Sequence, residues 1–475
     1  MLFFELLQVA IGNRQELTHI PTAEGWRELF VLAQRQALVG IAFRGVELLP
    51  EAQRPPKPLL MQWYMAAERI KAMNADLDRK ALAVANKFLE EGFPGVVLKG
   101  QGIAQLYRVG QIENSRFKIE DCHPEGYAQE NENDNENQGV GEFSIKEYRT
   151  PGDIDIWLHG ERKDILRYVH RHVPDCKPVY HHVDFPVIEG LDIEVHFTPS
   201  WMNSPFTNRR LQQWFRESAD FLNYNEDRSY PLRSTNVPLV PLITPTRSTG
   251  SSPLKRDSAG QCKHIGKSIQ KELSPFKGDE CSEAMRNETE GVKEPSLKEK
   301  SSSSLCKELY TEIPVPTLAF NRVYILIHIY RHLFHEGIGL RQLLDYYFVL
   351  HQGFTEEERA ETMRTLHSLR MGRFTAAVMW VLQEVYGMDD RYLLTAPNEK
   401  EGRFLLNEIM LAGNFGHYDE RMQHERGESA LHWGLRKVKR NFRFVRSYPS
   451  EVLWSPLFKL WHWAWRRQRA MENGE

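Results

Sequence analysis

Two long stretches without apolar periodicity divide the chain and limit which residues can form a core. Residues 112–147 contain the run NENDNENQ, and residues 245–306 are rich in Ser, Lys, Glu and Gly, with SSSS close to their end. Neither stretch can bury enough apolar surface to offset the entropy of ordering it, so both are predicted to be disordered insertions. Roughly four-fifths of the chain is left to fold.

The composition of the 475 residues fits a cytoplasmic protein with one large or two ordinary domains. The net charge of -3 argues neither for a generalised nucleic-acid binder nor for a disordered acidic protein. The five cysteines form neither a CxxC pair nor a zinc-type spacing with histidine. The apolar N-terminus lacks a basic start and contains Glu5, which argues against a signal peptide. No run approaches the ~20 apolar residues that a membrane-spanning helix needs.

Helical periodicity predicts helices on both sides of a short region that contains strands. Residues 1–92 are predicted to be an N-terminal helical region, and residues 307–430 a C-terminal helical domain. Between them, residues 93–244 are predicted to be a small α/β core that contains the first insertion. Residues 431–475 form a basic, aromatic C-terminal segment.

Short apolar runs predict the strands of this core. Val96–Leu98 precedes the turn Lys99-Gly100-Gln101-Gly102, and Ile154–Leu158 forms a second strand. Residues 181–187 and 191–197 are predicted to pair as a hairpin around Glu189-Gly190.

Carboxylates alternate with apolar residues along two of these strands. The strand period of two puts Asp153 and Asp155 on one face, with Cα atoms ~7 Å apart, so both can bind one cation. Across the hairpin, Asp192, Glu194 and His196 share a face in the same way. Three carboxylates from two strands are what two-metal phosphoryl transfer requires, and such oxygen ligands suit Mg²⁺ or Mn²⁺.

The glycine-containing turn predicts a phosphate site beside these carboxylates. Because it lies between a strand and a helix, its backbone N–H groups at Gly100 and Gly102 can receive phosphate oxygens. Lys99 and Arg149 add positive charge next to the same position. Asp192 and Glu194 both stay open as the third metal ligand at this point, and His196 either contacts substrate or bonds Asp155.

The order of the motifs resembles a known family. The motifs are Leu98-Lys99-Gly100, Arg149-x-x-Gly152-Asp153-x-Asp155, Glu194-x-His196, His332-x-x-His335, Gly339-Leu340-Arg341 and Asp345. They look like those of the uncharacterised bacterial nucleotidyltransferases in the DNA polymerase beta-like nucleotidyltransferase superfamily. Gln101 departs from the Ser or Gly that usually follows the first glycine of the superfamily turn, and the 112–147 insertion stands where relatives have a short loop.

The resemblance implies an α+β fold, with a minimal nucleotidyltransferase mixed-sheet core between helical regions and the active site in a cleft facing the C-terminal helices. It implies transfer of a nucleotidyl group from a nucleoside triphosphate to an unknown hydroxyl acceptor, with pyrophosphate released. Asp153, Asp155 and Glu194 would be catalytic metal ligands for Mg²⁺ or Mn²⁺.

The same resemblance implies roles for residues around the metal. Lys99, Gly100, Gly102 and Arg149 would bind the nucleotide. His196, His332, Arg341 and Asp345 would bind substrate in the cleft.

Two other functions fit parts of the pattern. A D-x-D strand also occurs in glycosyltransferases that use sugar nucleotides, but these need a larger α/β domain before it, where this chain is helical. A non-catalytic nucleotide-binding protein could keep the same fold. His328 and His332, at i and i+4 on one helix face, are a candidate metal pair, although packed helix histidines are the favoured interpretation.

The C-terminal segment allows three interpretations. Residues 431–470 carry ten Lys/Arg against one acid, Glu451, and five tryptophans. The segment packs on the core, contacts nucleic acid, or lies on a membrane surface. Packing is favoured because several apolar residues are too many to leave in water: Val452, Leu453, Leu457, Phe458 and Leu460. Pro449 and Pro456 are predicted to break it into short helices.

Overall fold

A four-stranded sheet and fourteen helices make up the part of the chain described by the structure, a computed structural model. The described residues are 1–110, 143–188, 190–219, 309–422 and 429–472. The helices are α1 (Leu2–Ala10), α2 (Ala23–Arg35), α3 (Val39–Leu48), α4 (Lys57–Glu90), α5 (Gln101–Ala104), α6 (Arg162–His172), α7 (Pro205–Ser218), α8 (Leu318–His335), α9 (Leu340–His351), α10 (Glu356–Ser368), α11 (Gly372–Tyr386), α12 (Glu399–Ala412), α13 (Ala430–Phe442) and α14 (Pro449–Glu472).

The strands form one mixed sheet and one short ribbon. They are β1 (Gly95–Val97), β2 (Arg108–Val109), β3 (Phe143–Ser144), β4 (Ile154–Leu158), β5 (His182–Asp184) and β6 (Ile193–His196). The sheet order is β1-β4-β6-β5, in which β4 and β6 are parallel and the other neighbours antiparallel. The β5–β6 pair is the predicted hairpin, and the α+β class with a small mixed sheet is confirmed.

One face of the sheet packs on helices of the N-terminal half. Ile154 and Ile156 of β4 and Val195 of β6 are fully buried against α4 and α6, where Phe88 and Tyr168 contact each other. Because side chains alternate along a strand, burial of these apolar residues turns Asp155 and Glu194 to the opposite face. That face meets α8, where the ring of Phe320 stacks on Trp157 with centroids 5.6 Å apart.

The segment before β4 is folded, which corrects the predicted end of the first insertion. Residues 143–147 were expected to be disordered, but β3 pairs with β2, and Ile145 and Tyr148 are buried. Asn74 of α4 also donates a hydrogen bond of 2.8 Å to the Glu147 carbonyl. These long-range contacts order a segment whose sequence has too little periodicity to predict a strand. The rest of the predicted insertions, 112–142 and 245–306, lies outside the described residues.

The C-terminal segment packs on the core through only one face. Glu451 of α14 accepts a hydrogen bond of 2.8 Å from the Asn203 backbone N–H, and the ring of Phe458 stacks on Trp201. Leu453, Leu457 and Leu460, which were expected to be buried, are exposed. Hydrophobicity predicted their burial, but the core covers only the opposite side of the helix.

The break predicted at Pro456 is also wrong. Helix α14 runs continuously from Pro449 to Glu472 with Pro456 inside it. Pro449 occupies the first turn, where its missing N–H costs no helix bond. Pro456 is exposed and removes a single bond, to the carbonyl four residues earlier.

Within the described residues, no helix is both long enough and apolar enough to cross a membrane.

Candidate active site

Two carboxylates lie side by side where the parallel strands meet. The β4–β6 register pairs Asp155 with Glu194. The side chain of Asp155 is 1% exposed, whereas those of Glu194 and Asp153 are about a quarter exposed. Asp153 precedes β4 and lies nearer the solvent than Asp155. The three predicted catalytic carboxylates are therefore on the same side of the sheet, with Asp155 the most deeply buried.

Lys99 connects two of these carboxylates. Its Nζ lies 3.2 Å from Asp153 Oδ2 and 3.0 Å from Asp155 Oδ2. Burial by itself would lower the pKa of Lys99, but the charges of Asp153, Asp155 and Glu194 raise it well above its ordinary value. The residue before it is fixed to β4, because the Leu98 N–H donates to the Asp155 carbonyl at 2.9 Å. Lys99 is thus a fixed ammonium at the carboxylate cluster.

His196 adds a second positive charge beneath the carboxylates. Its Nε2 lies 2.8 Å from Asp155 Oδ1 and 3.3 Å from Glu194 Oε2. Burial alone would lower the pKa of His196, but hydrogen bonds to Asp155 and Glu194 raise it to about 9. The other ring nitrogen, Nδ1, is buried and has no hydrogen-bond partner. Bonding to Asp155 is one of the two roles predicted for this residue.

Two neighbouring histidines belong to the same cluster, although the sequence analysis did not include them. His182 Nδ1 lies 3.2 Å from Glu194 Oε2 and 2.9 Å from His181 Nε2. Burial lowers the pKa of His182 to about 4, against the opposing effect of the Glu194 charge, so its imidazole is neutral. The sequence does contain a pattern that predicts this position for His182. It alternates with Asp184 on β5 and pairs with His196 across the hairpin.

Three groups of described side chains are close enough to hold a metal ion. They are Asp155 with Glu194 and His196; His181 with His182 and His196; and His182 with Asp184 and Glu194. Ligand atoms within each group lie within 4.8 Å of one another. Glu194 occurs in two of these groups and Asp192 in none, which favours Glu194 over Asp192 as the third carboxylate. Asp153, a predicted metal ligand, is also in none of these groups, and it is linked to Asp155 through the Lys99 ammonium.

The glycine-containing turn lies between a strand and a helix, as the sequence predicts. Gly100 lies between β1 and α5 with φ +57° and ψ -115°, a conformation that favours glycine. The Gly102 N–H, predicted to receive a phosphate oxygen, instead donates to the Lys99 carbonyl at 3.0 Å. A Cβ at Gly102 would lie 2.4 Å from the Val97 carbonyl oxygen, so a glycine is needed for α5 to pack on β1.

We expect Gly102→Ala to lower the free energy of unfolding by about 1–3 kcal/mol, because the added methyl group must displace backbone. Thermal unfolding followed by circular dichroism measures the effect. Gly110→Ala is the matched control, since a Cβ there meets nothing within 4 Å. If the two variants melt at the same temperature, the close approach of α5 to β1 is wrong.

A cleft between the sheet and helices α8 and α9 opens beside the carboxylates. Its lining comprises Lys99, Gly100, Arg149, Gly152, Asp153, Ile325, His328, Ile329, Arg341, Gln342, Asp345 and Phe415. The guanidinium of Arg341 donates to the carbonyls of Thr150 and Pro151, both at 3.1 Å. It thereby fixes the loop before Asp153 while remaining on the wall of the cleft.

Arg149 is engaged by Asp345 within the same wall. Its Nε and Nη2 donate to the two Asp345 oxygens at 2.7 and 2.9 Å, and the Tyr107 hydroxyl donates to Asp345 at 2.6 Å. Both partners are buried. Arg149 was predicted to bind the nucleotide and Asp345 to bind substrate, but their charges compensate each other in this structure.

The α8 histidines lie at the edge of the cleft. His328 lines it, and the ring of His332 lies 4.3 Å from that of His328. His332 Nδ1 is 3.3 Å from Glu336 Oε2. Among the described side chains, no metal-capable group contains this pair, which favours the packed interpretation.

Arg331 on α8 is a further cation that the sequence analysis did not identify. Its guanidinium carbon lies 3.1 Å from the centre of the Trp201 ring, and one nitrogen donates to Ser200 Oγ at 3.4 Å. Burial lowers the pKa of Arg331 to about 10, against the opposing charges of Glu194 and Asp155 among others. Arg331 therefore adds a buried positive charge on α8, held against Trp201 and Ser200.

Comparison with known proteins supports a nucleotidyltransferase family. A family model described as an uncharacterised nucleotidyltransferase matches residues 22–112. The matched range contains the Lys99-Gly100 turn and ends before the D-x-D strand. No curated protein and no solved structure matches the chain. The family match supports a nucleotidyl transfer function.

Proposed function

We propose that this chain is a metal-dependent nucleotidyltransferase that moves a nucleotidyl group from a nucleoside triphosphate to a hydroxyl acceptor and releases pyrophosphate. The observation that carries the proposal is the parallel pairing of β4 and β6, which sets Asp155 beside Glu194 below the cleft edge occupied by Lys99 and Asp153. The family match at 22–112 supports the same activity. The proposal includes the cytoplasmic location that the sequence predicts.

The carboxylate cluster fits a divalent cation. Asp153, Asp155 and Glu194 would hold Mg²⁺ or Mn²⁺, with His196 next to them. The fit rests on Asp155 and Glu194, whose ligand atoms lie within 4.8 Å of each other, and on a buried Asp155 Oδ2 that makes no hydrogen bond. The Lys99 ammonium lies 3.0 Å from that oxygen and 3.2 Å from Asp153 Oδ2, where a cation already sits between the two aspartates. When bound, such an ion supplies charge neutralisation for the triphosphate and lowers the pKa of the attacking hydroxyl.

The cations on the cleft wall would bind the triphosphate. Lys99 and Arg341 both line the cleft next to Gly100. Burial would raise the pKa of Glu194, but the hydrogen bond from His196 and the charge of Lys99 lower it well below its ordinary value, so it remains a carboxylate. Glu194 thus serves as the third metal ligand or orients the acceptor hydroxyl.

Other predicted site residues act on the shape of the cleft in this proposal. Arg149 and Asp345 hold α9 against the segment before β4 through their ion pair. Gly102 allows α5 to pack on β1. His332 lies beyond His328, where an acceptor rather than the triphosphate would reach it.

A glycosyltransferase that uses sugar nucleotides would need a large α/β domain before the D-x-D strand, and the described residues contain none there. Before the D-x-D strand the described residues comprise four long helices, α1 to α4, and little sheet, rather than a large nucleotide-binding α/β domain. The other alternative, a non-catalytic nucleotide-binding protein, is distinguished from an enzyme by the following test.

We expect Glu194→Gln to reduce transfer by about 10- to 100-fold, because the amide keeps the shape but removes the charge beside Asp155. The measurement is incorporation of labelled nucleotide onto the protein or a cell extract with Mg²⁺ or Mn²⁺. Glu161→Gln, at an exposed position on the edge of α6, is the control.

Equal incorporation by wild type and Glu194→Gln would contradict the proposed mechanism. Binding of ATP or CTP in calorimetry without any incorporation would favour the non-catalytic alternative. Binding of UDP-sugars in preference to both would favour the glycosyltransferase.

A further inference from the structure

An apolar stripe runs along the outer side of α14. Leu453, Leu457 and Leu460 follow one another at i, i+4 and i+7, which places them on one helix face. They are 61%, 54% and 63% exposed, and Trp463 beside them is 57% exposed. A surface leucine by itself requires no explanation, but an aligned row with a tryptophan is a contiguous apolar patch.

The inner side of the same helix accounts for its attachment to the core. Val452 and Ser455 are buried, and the ring of Phe458 packs against Tyr180 and Trp201. The outer stripe is therefore not needed to hold α14 in place. Both sides of the helix are apolar, and the core uses only one of them.

Helix α13 carries a second exposed stripe. Leu435, Val438 and Phe442 recur at i, i+3 and i+7 and are 58%, 47% and 65% exposed. Its last turn contains Lys439, which is exposed. Two consecutive helices thus each present an apolar row to the outside.

The segment that carries the stripes is basic. Residues 431–470 contain ten Lys/Arg, and their single acid, Glu451, is buried against Asn203. Arg446 and Arg467 are exposed, and the guanidinium of Arg467 lies over the Trp463 ring at 5.2 Å. Arg440 and Arg443 of α13 pair with Asp419 and Glu408 of the core. The exposed faces of this segment combine leucine and tryptophan with the exposed cations Lys439, Arg446, Lys459 and Arg467.

We propose that the exposed faces of α13 and α14 dock on an anionic lipid bilayer surface. Leucine and tryptophan enter the interface between headgroups and acyl chains, and Lys and Arg attract anionic headgroups. A second copy of the chain would bring like charges together, and RNA would use the cations but leave the leucines in water. This proposal is independent of the proposed nucleotidyl transfer.

Co-sedimentation of the full chain with vesicles tests the proposal. We expect binding to vesicles with roughly one-third phosphatidylserine to exceed binding to pure phosphatidylcholine by at least about tenfold, and to weaken as salt is added. The triple variant Leu453→Gln, Leu457→Gln, Leu460→Gln should lose at least about tenfold in affinity, because it keeps the charge and removes the stripe. Leu411→Gln, at an exposed leucine of α12, should bind like wild type.

Several results would overturn the proposal. They are absence of vesicle binding, equal binding to the two vesicle types, and unchanged binding by the triple variant. Self-association that the triple variant abolishes would instead assign the stripes to a second copy. Tight salt-sensitive binding to RNA, with no binding to vesicles, would assign the charge to nucleic acid. Circular dichroism of the triple variant checks that it is folded.

Discussion

We expect Lys99→Met to reduce nucleotidyl transfer by about 10²- to 10³-fold while it tightens the binding of Mn²⁺. The Lys99 ammonium lies 3.2 Å from an Asp153 oxygen and 3.0 Å from an Asp155 oxygen. A divalent cation held by the same carboxylates is repelled by that ammonium, so its removal should raise metal affinity by at least about tenfold. Methionine keeps the length and the apolar stem of the side chain.

The opposite signs of the two effects make this test specific. A merely destabilised protein would lose both transfer and Mn²⁺ binding, whereas loss of a phosphate-binding cation at the metal site affects only transfer. Free Mn²⁺ can be measured by electron paramagnetic resonance, and transfer by incorporation of labelled nucleotide. Lys163→Met, at an exposed lysine of α6, is the control. Mn²⁺ affinity that falls or stays unchanged in Lys99→Met would refute the assignment of the metal to these carboxylates.

The part of the site that follows from local pattern could be predicted from the sequence. Alternation along Ile154-Asp155-Ile156 and Ile193-Glu194-Val195 determines which side chains are buried, and so turns both carboxylates to one face. The Gly100 turn is equally local, because a strand, a glycine with positive φ and a helix start follow each other directly. These features depend on neighbours within a few residues.

The partners that come from distant parts of the chain could not be predicted in this way. An arginine in the motif before Asp153 suggests a phosphate ligand, but Arg149 pairs with Asp345, 196 residues later. Arg331 likewise meets Trp201 and Ser200, which precede it by more than 120 residues, only because α8 covers this part of the fold. His182 could have been predicted. The alternation along β5 puts it on the same sheet face as His196, its partner across the hairpin.

The C-terminal segment illustrates a limit of hydrophobicity as a guide to burial. Val452 is buried, whereas Leu453 next to it is exposed. The apolar content of α14 exceeds what one helix face can bury, and the sequence does not say which face the core covers. The covered face is determined by long-range contacts of Phe458 with Tyr180 and Trp201.

The buried pair Arg149–Asp345 provides the prediction with the largest effect on stability. We expect Asp345→Ala to lower the free energy of unfolding by about 3–5 kcal/mol, because it leaves the Arg149 guanidinium buried without its counter-charge. The side chains are 3% and 10% exposed, so water cannot solvate the remaining charge. The Tyr107 hydroxyl loses its acceptor in the same variant. Arg149→Ala should have a cost of similar size.

A double variant that lacks both charges separates the pair from its surroundings. The double variant Arg149→Met, Asp345→Leu should be more stable than Asp345→Ala, since it removes both charges and keeps apolar volume. Urea unfolding followed by tryptophan fluorescence measures each variant. The exposed pair Arg403–Glu399 on α12, whose side chains are 67% and 64% exposed, is the control, and Glu399→Ala should cost at most about 1 kcal/mol.

The same variants decide what Arg149 does. If the ion pair positions α9, the double variant should retain measurable triphosphate affinity in calorimetry whenever it is folded. If Asp345→Ala instead keeps the stability of the wild type and Arg149→Ala loses triphosphate binding, the guanidinium leaves Asp345 to bind phosphate. That result would restore the role that the motif alone suggested for Arg149.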